Sequence, residues 1–206
     1  MEMITVEVGE TRLETPHARL ALAVLEGAVG IGKTKSLTIA NSEHPTTPPA
    51  IGQYWRGQGG IYAGLMRGEN GRPDYHLIVP TAPEASTKIS WGAAGEGEDG
   101  ATSDFDGLAN TRGLVESEHE HPAAQWAAGL EIEGHRDFYL PARRELRLCW
   151  VNVPELFEKG WHWSSTQFSP YDAWIQDFDD GAQYDGHKDD EGRARAVRRV
   201  LTTSAL

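Results

Sequence analysis

Three stretches of the chain contain residue types that could carry chemistry, and the first matches a nucleotide-binding pattern. Residues 27–34 (GAVGIGKT) fit G-x4-G-K-[ST], in which backbone N–H groups and the lysine bind phosphates. Such a loop must open a helix, but residues 36–39 (SLTI) favour a strand, and prolines follow closely. The chain also lacks the alternating strands and helices of nucleotide-binding folds. We therefore interpret this segment as a glycine-rich turn between two strands.

The second stretch, residues 92–120, is rich in glycine and acids, which predicts a long, solvated loop. Asp99, Asp104 and Asp106 within it could together hold calcium, because hard cations prefer several oxygen ligands. The spacing of these acids matches no known calcium loop. We therefore expect no metal or other cofactor, with calcium as the alternative.

An H-x-H pair, His119 and His121, spans the end of this stretch and could contribute to a zinc site. A zinc site would need at least one further ligand at a readable spacing, so we interpret the pair as a polar approach to a helix beginning at Pro122. The single Cys149 lies in an apolar run, which favours a buried, inert thiol over a nucleophile.

The third stretch supplies Ser164, His162 and Asp177, the groups of a hydrolytic triad. Neither a nucleophile elbow nor an ordered base is visible around Ser164, so catalysis is the minor hypothesis. Turnover assays on glycans or esters would separate the two interpretations.

The overall composition excludes two classes of partner. The net charge of −12 argues against nucleic-acid binding, which needs a basic face, and against anionic membranes. No apolar run approaches the ~20 residues of a membrane span, so no membrane insertion is expected. The acidic, alternating first residues are unlike a secretory signal, which predicts synthesis in the cytoplasm.

The elements that must position these groups divide the chain near residue 50. Residues 2–8 alternate and predict a strand, whereas residues 17–26 fit either a strand or a short helix. Residues 41–50 (NSEHPTTPPA) form a stiff linker. We therefore assign residues 1–50 to a β-rich assembly or display segment and residues 51–206 to a ligand-binding domain.

Beyond the linker, the pattern predicts a β-hairpin, two helices and a closing strand. Residues 68–73 form the turn of the hairpin, and residues 75–79 form its returning strand. One helix covers residues 122–130, and a second covers residues 143–157, with a proline near its end. The closing strand covers residues 193–201.

The stretch from residue 161 to residue 188 combines Trp, Tyr, Phe, Gln, Asp and Ser at a density typical of a recognition surface. We expect Trp161, Trp163, Trp174 and Phe178 to be buried anchors. The side chains between them are expected to face solvent and bind a ligand: Phe168, Ser169, Tyr171, Asp172, Gln176, Asp179, Gln183, Tyr184, Asp185 and His187. Tyrosine gives stiff contact area with a hydrogen-bonding tip, while Asp and Gln can bind the hydroxyl groups of a sugar.

The order of motifs in the second half of the chain carries a family resemblance. The motifs are GHRDFYLPARREL (134–146), WHWSST (161–166), AW (173–174), F-x-x-G (178–181), Lys188 and VRRV (197–200). In this order they resemble bacterial and phage domains of C-type lectin fold. These include the C-terminal domains of collagen-like adhesins and the variable proteins of diversity-generating retroelements. The resemblance covers about residues 100–206, roughly half of the chain.

The resemblance implies an α+β fold, namely a C-type-lectin-like domain with two short helices and a twisted antiparallel sheet after a β-rich N-terminal segment. It also implies a non-enzymatic receptor-recognition protein, such as a phage-tail or surface-displayed adhesin, that forms a trimer on a virion or cell surface. The ligand would be a host-surface protein or glycan. The N-terminal segment would contact other virion or surface proteins.

The loop composition is consistent with retroelement diversification. In diversified relatives the variable positions arise from adenine-rich codons and become Tyr, Asp, His, Ser, Phe or Asn. All the candidate residues except Gln176 and Gln183 fit this palette. Two alternatives stay open: a structural decoration or collar protein of a virion, and an enzyme of the formylglycine-generating fold class. Those oxidases use a cysteine pair, which this chain lacks.

Overall fold

The computed structural model describes three stretches of the chain: residues 4–8, 11–15 and 47–202. The chain divides into two compact units, residues 1–46 and 47–206. In the first unit, strands β1 (Ile4–Val8) and β2 (Thr11–Thr15) pair antiparallel, which confirms the strand expected over residues 2–8. The other expectations for this unit fall outside the described residues: residues 17–26, the phosphate-loop-like segment 27–34, and the linker up to residue 46.

The second unit begins with strands of a small antiparallel sheet that include the expected hairpin. These strands are β3 (Tyr54–Trp55), β4 (Gly60–Met66) and β5 (Tyr75–Val79). Strand β5 confirms the returning strand of the hairpin, and its Leu77, Ile78 and Val79 are fully buried. The register shifts between Tyr62 and Gly64, where Gly64 adopts a φ of 130° that a side chain would strain.

Strand β6 (Ser86–Ser90) leads into three helices in the described part of the chain, one more than expected. The helices are α1 (Gly107–Val115), α2 (Pro122–Ala128) and α3 (Arg143–Asn152), and short 3-10 turns lie at Pro83–Ala85, Asp99–Ala101 and Pro154–Leu156. Helices α2 and α3 confirm the two expected helices, and α3 ends before Pro154. The expectation of one long loop over residues 92–120 was wrong, because helix α1 lies within that stretch. Its cap is the Asp106 carboxylate, which accepts a hydrogen bond from the Ala109 N–H at 2.9 Å.

Five strands complete the unit: β7 (Trp161–Gln167), β8 (Asp172–Asp177), β9 (Gln183–His187), β10 (Glu191–Arg195) and β11 (Arg198–Leu201). One sheet has the order β6-β10-β7-β8-β9, and the other has the order β11-β5-β4-β3. All pairings within them are antiparallel except that of β7 with β10. The closing strand expected over residues 193–201 is therefore divided between the two sheets.

Two main hydrophobic clusters fill the space between these sheets and helices. The first joins Trp91 and Trp163 to alanines of α2, and the second joins Leu146, Cys149 and Phe178 to β5. Trp163 and Phe178 are thus the buried anchors that the sequence predicted. The expected buried thiol is also confirmed, and burial raises the pKa of Cys149. The fold is α+β, with three helices in the described residues and curled, mainly antiparallel sheets.

Candidate ligand-binding surface

Strands β8 and β9 form a hairpin at one edge of the five-stranded sheet, and its two faces carry different side chains. The register pairs Asp172 with His187 and Trp174 with Asp185. Paired residues of antiparallel strands point to the same side, and successive residues alternate. These four side chains therefore share one face, which we name the Trp174 face, while Tyr184 lies on the opposite face.

The three candidate aromatic residues of this region are open to solvent. Phe168 is 49% exposed, Tyr171 is 59% exposed and Tyr184 is 60% exposed. Asp185 and His187 on the edge strand are exposed as well. We name the exposed side chains of the turn at residues 168–171 and of β8 and β9 the hairpin surface. Because these rings contribute little to a core, their apolar area is available to a partner.

Aromatic neighbours hold the exposed rings in defined positions. The rings of Phe168 and Trp174 meet edge to face, with 4.9 Å between their centroids, and those of Tyr184 and Trp161 do so at 5.7 Å. Trp161 is exposed and Trp174 is only partly buried, so the expectation that both are buried anchors was wrong. The Trp161 ring packs on Tyr184 and the Trp174 ring packs on Phe168, so each tryptophan covers an exposed aromatic neighbour.

Two of the candidate residues do not join the hairpin surface. Gln176 is fully buried, so the expectation that it faces solvent was wrong. Its amide donates to the carbonyl oxygens of Asp177 at 2.9 Å and Ala182 at 3.2 Å, which secures the turn between β8 and β9. Asp179 is exposed in that same turn and lies 3.5 Å from Lys159. The turn is about 17 Å from the other end of the hairpin, given the rise along five strand residues.

The partly buried candidates order the backbone around the surface. The Ser169 hydroxyl donates to the Asp172 carboxylate at 2.7 Å and accepts from the Tyr171 N–H at 3.1 Å. The Gln183 side chain exchanges two hydrogen bonds with Arg143: it accepts from the guanidinium at 3.0 Å and donates to the carbonyl at 2.9 Å. Ser169 and Asp172 therefore fix the turn that displays Tyr171, and Gln183 ties the edge strand to α3.

Arg143, the first residue of α3, packs against the Trp174 face, but this contact was not predicted from the sequence. Its guanidinium lies 3.5 Å from the centre of the Trp174 ring and 3.7 Å from the Asp104 carboxylate. A cation stacked on a tryptophan ring is attracted by the ring and keeps its planar orientation. The LPARREL motif marks Arg143 in the sequence, but its spacing does not indicate that the helix start reaches the hairpin.

The buried Lys188 anchors the turn and a neighbouring loop beneath the exposed rings. Its ammonium donates to the Glu96 carbonyl oxygen and to the Gln167 side chain, each at 2.8 Å, and lies 4.7 Å from the centre of the Trp91 ring. Its backbone N–H donates to the Tyr171 carbonyl oxygen at 2.9 Å. Burial lowers the pKa of Lys188, although acidic neighbours oppose this. These contacts order the surface before any ligand binds.

The polar side chains at the end of β7 are buried and paired. The Thr166 hydroxyl donates to the Ser103 carbonyl oxygen at 2.9 Å and accepts from the Arg143 N–H at 3.1 Å. The Asn110 amide donates to the same carbonyl at 2.7 Å and to the Ser165 hydroxyl at 3.3 Å. The second half of WHWSST therefore joins β7 to the starts of α1 and α3.

Glu145 holds α3 in place from a fully buried position. One carboxylate oxygen accepts from the hydroxyls of Tyr75 and Tyr139, each at 2.7 Å. The other accepts from the N–H groups of Ala142 at 2.7 Å and Gly107 at 3.2 Å. Burial raises the pKa of Glu145, and these donors oppose the increase. We name the following residues the buried polar network: Asn110, Glu145, Ser165 and Thr166.

The two histidines of the H-x-H pair converge on one carboxylate. A single Glu98 oxygen lies 3.0 Å from the His119 ring nitrogen and 2.9 Å from that of His121, and it accepts from the Ser117 hydroxyl at 3.0 Å. Burial raises the pKa of Glu98, but these hydrogen bonds outweigh it and lower the pKa overall. Within residues 47–202 and the two short strands, no three His, Cys, Asp or Glu side chains are arranged to hold a metal.

Two of the three acids considered as calcium ligands, Asp104 and Asp106, instead lie beside arginines. Asp106 caps α1 and forms ion pairs with Arg72 and Arg199. Asp104 lies beside Arg143. These carboxylates do not converge, so the geometry gives the calcium alternative no support.

The groups of the hydrolytic triad are not assembled. His162 and Asp177 point to opposite faces of the sheet, because the residue before His162 is the one that pairs with Asp177. The His162 ring packs between Phe157 and Phe178. Its Nδ1 donates to the Gly160 carbonyl oxygen at 3.1 Å, and burial lowers the pKa of His162 to about 4. This histidine is therefore a neutral core side chain.

Comparison with known proteins adds no relative to these observations. No protein-family model matches the chain, and no curated protein matches it significantly. Among the residues that the structure describes, no helix has both the length and the apolar character needed to cross a bilayer. Functional conclusions about this chain therefore rest on the geometry of the hairpin and its supports.

Proposed function

We propose that this chain is a non-enzymatic ligand-binding protein whose hairpin surface recognises a host-surface protein or glycan. The observation that carries the proposal is the exposure of Phe168, Tyr171 and Tyr184 on a backbone held by buried side chains. Aromatic side chains give large contact area with few torsions to restrict, and they are enriched among binding hot spots. Asp185 and His187 lie on the Trp174 face, where Phe168 contacts Trp174, and they can hydrogen-bond a polar ligand.

The backbone of the hairpin surface is already ordered without a ligand, and this favours binding. Ser169 and Lys188 already fix the turn that carries Tyr171. A ligand therefore does not have to order this backbone, and more of the contact energy contributes to affinity. A loop on a fixed scaffold also accepts substitution without unfolding, which is what a recognition surface that varies requires.

The proposal includes a C-type-lectin-like fold and a place among the variable proteins of diversity-generating retroelements. The α+β architecture and the order of motifs support it, as does the exposure of residues that fit the diversification palette. The full proposal is a trimer on a phage tail or cell surface, with residues 1–50 contacting other virion or surface proteins. A reverse-transcriptase gene beside this one, with a near-copy of its 3′ end differing at adenines, would test the diversification directly.

The binding test uses the full chain carrying Tyr171→Ala and Tyr184→Ala together. Labelled protein is titrated onto a panel of bacterial cells, and we expect a loss of roughly thirtyfold or more in affinity, as for removal of hot-spot aromatics. Tyr54→Ala is the matched control, because Tyr54 is 42% exposed but lies on β3, outside the hairpin surface. Equal binding of wild type and the double variant would reject this surface and favour a structural virion role.

A further inference from the structure

A groove of about 840 Å³ lies between α3 and the connection from β4 to β5. Four arginines line it: Arg67, Arg143, Arg144 and Arg147. Among the described residues that line the groove, Glu69 alone contributes a carboxylate. In a chain with a net charge of −12, this is a local excess of positive charge. The excess suits the groove to an anion.

Within the part of the chain that the structure describes, the arginines of α3 that follow Arg143 have no acidic partner. The Arg144 guanidinium lies 4.1 Å from the centre of the Phe105 ring and forms no ion pair or side-chain hydrogen bond with any described residue. Arg147 donates to the Gly181 carbonyl oxygen at 2.5 Å and likewise has no carboxylate partner in the described chain. A guanidinium offers several N–H donors in one plane, which match the paired oxygens of carboxylate, sulfate or phosphate.

We propose that this groove binds the anionic groups of an acidic oligosaccharide through Arg144 and Arg147. The inference rests on the proposed function, because the groove is continuous with the hairpin surface. Arg143 and Gln183 line the groove, and Arg143 also stacks on Trp174. A sugar chain in the groove therefore extends towards the Trp174 face, and this inference names the ligand class for that face.

Charge and shape favour an acidic glycan over other anions. Nucleic acid carries a charge at every nucleotide, so a segment extending beyond the groove meets the repulsion of the acidic surface. An oligosaccharide with an anion every few sugars places its charges at the arginines alone. Its apolar ring faces can pack on aromatic side chains, and a concave groove suits a narrow chain better than a folded protein surface.

The test measures dissociation constants of the full-length chain by calorimetry for three hexasaccharides. These are a maltohexaose derivative with carboxylates on two of its six sugars, the same hexasaccharide with sulfates on those two sugars, and neutral maltohexaose. We expect binding of at least one anionic hexasaccharide, weakened roughly tenfold to hundredfold by Arg144→Ala with Arg147→Ala, as for loss of charge-assisted hydrogen bonds. Arg144→Lys keeps the charge but not the planar donors, so its loss is intermediate.

Arg136→Ala is the matched control, because Arg136 is exposed, pairs with Glu131 at 2.8 Å and lies outside the groove. Thermal melting verifies that each variant is folded.

Three results would overturn the inference. The first is that maltohexaose binds as tightly as the anionic hexasaccharides. The second is that the double arginine change has no effect, and the third is that a single-stranded 12-nucleotide DNA or a glutamate-rich peptide binds more tightly. Cell binding that needs Tyr171 and Tyr184 but not the arginines rejects the inference alone. Cell binding that needs neither pair rejects the proposed function as well.

Discussion

Two residues of the buried polar network, Ser165 and Thr166, lie on one continuous segment with the turn at residues 168–171, yet the side chains of the two regions differ completely in environment. Ser165 and Thr166, near the end of β7, are buried and hydrogen-bonded to residues of α1 and α3. Phe168 and Tyr171, in the turn that follows, expose about half of their area or more. The polar residues are inside and the aromatic residues are outside. Position relative to the helices therefore separates scaffold from surface here, and residue type does not.

This difference has an energetic consequence. Removing one partner of a buried hydrogen bond leaves the other without water or protein, which costs about 1–3 kcal/mol per group. An exposed side chain has no such partner, and its substitution changes stability by about 0.5 kcal/mol or less. The network should therefore tolerate little change, whereas the hairpin surface should tolerate much.

The largest effect is expected at Glu145, where one carboxylate accepts four hydrogen bonds. Glu145→Ala leaves the hydroxyl of Tyr139 and the N–H groups of Ala142 and Gly107 without this acceptor, so we expect about 3–5 kcal/mol of lost stability. Urea denaturation measures the change. Glu145→Gln keeps one acceptor oxygen and should lose clearly less. A loss below about 1 kcal/mol for the alanine variant would contradict the scaffold role of this network.

The second effect is a pH dependence from His162, a residue of β7 whose ring packs in the core. Burial lowers the pKa of His162 to about 4, so the unfolded chain binds the proton first as the pH falls below 6.5. Stability is therefore lost as the pH falls, by about 3 kcal/mol between pH 7 and pH 4 from this group alone. His162→Leu should flatten the curve of unfolding free energy against pH by that amount. A variant that is folded at pH 7 but keeps the wild-type slope would refute this assignment.

The sharpest paired test compares Thr166 with Phe168, two positions apart on the chain. Thr166→Val keeps the shape but leaves the Ser103 carbonyl and the Arg143 N–H with one partner fewer, so we expect about 2 kcal/mol of destabilisation. Phe168→Ser should change stability by about 0.5 kcal/mol or less. Thermal and urea unfolding of both variants measure the difference. Equal losses at the two positions would remove the division between scaffold and surface.

Much of the architecture could be predicted because its signals are local. The β5 strand and helices α2 and α3 follow from apolar runs, proline positions and helical spacing. Helix α1 was missed because its segment is short, glycine-containing and flanked by acids, which is also the composition of a loop. Its Asp106 was a readable helix cap that could equally be a metal ligand. The ion pairs that Asp106 forms with arginines from distant parts of the chain favour the role of helix cap over that of metal ligand, and the sequence does not show these pairs.

The exposed aromatic residues of the candidate surface could be predicted from the sequence, but the full set of residues around it could not. Phe168, Tyr171 and Tyr184 were expected to be exposed, and they are. Gln176 was misplaced because strand alternation does not reveal which face another element covers. Arg143 was missed because its contact with Trp174 spans two elements far apart in sequence. Such contacts depend on tertiary packing, which cannot be inferred from the spacing of residues along the sequence.

The smallest expected effect on stability tests the proposal most directly. Tyr184→Ser and Phe168→Ser together should leave the unfolding free energy within about 1 kcal/mol of wild type, because both rings are about half or more exposed and meet the rings of Trp161 and Trp174 outside the core. The same double variant should lose cell binding. A matched pair inside the core, Trp163→Ser with Phe178→Ser, should instead abolish folding, because both rings are buried. If the surface pair also unfolded the chain, its aromatic residues would be structural, and a substitution-tolerant recognition surface could not be built from them.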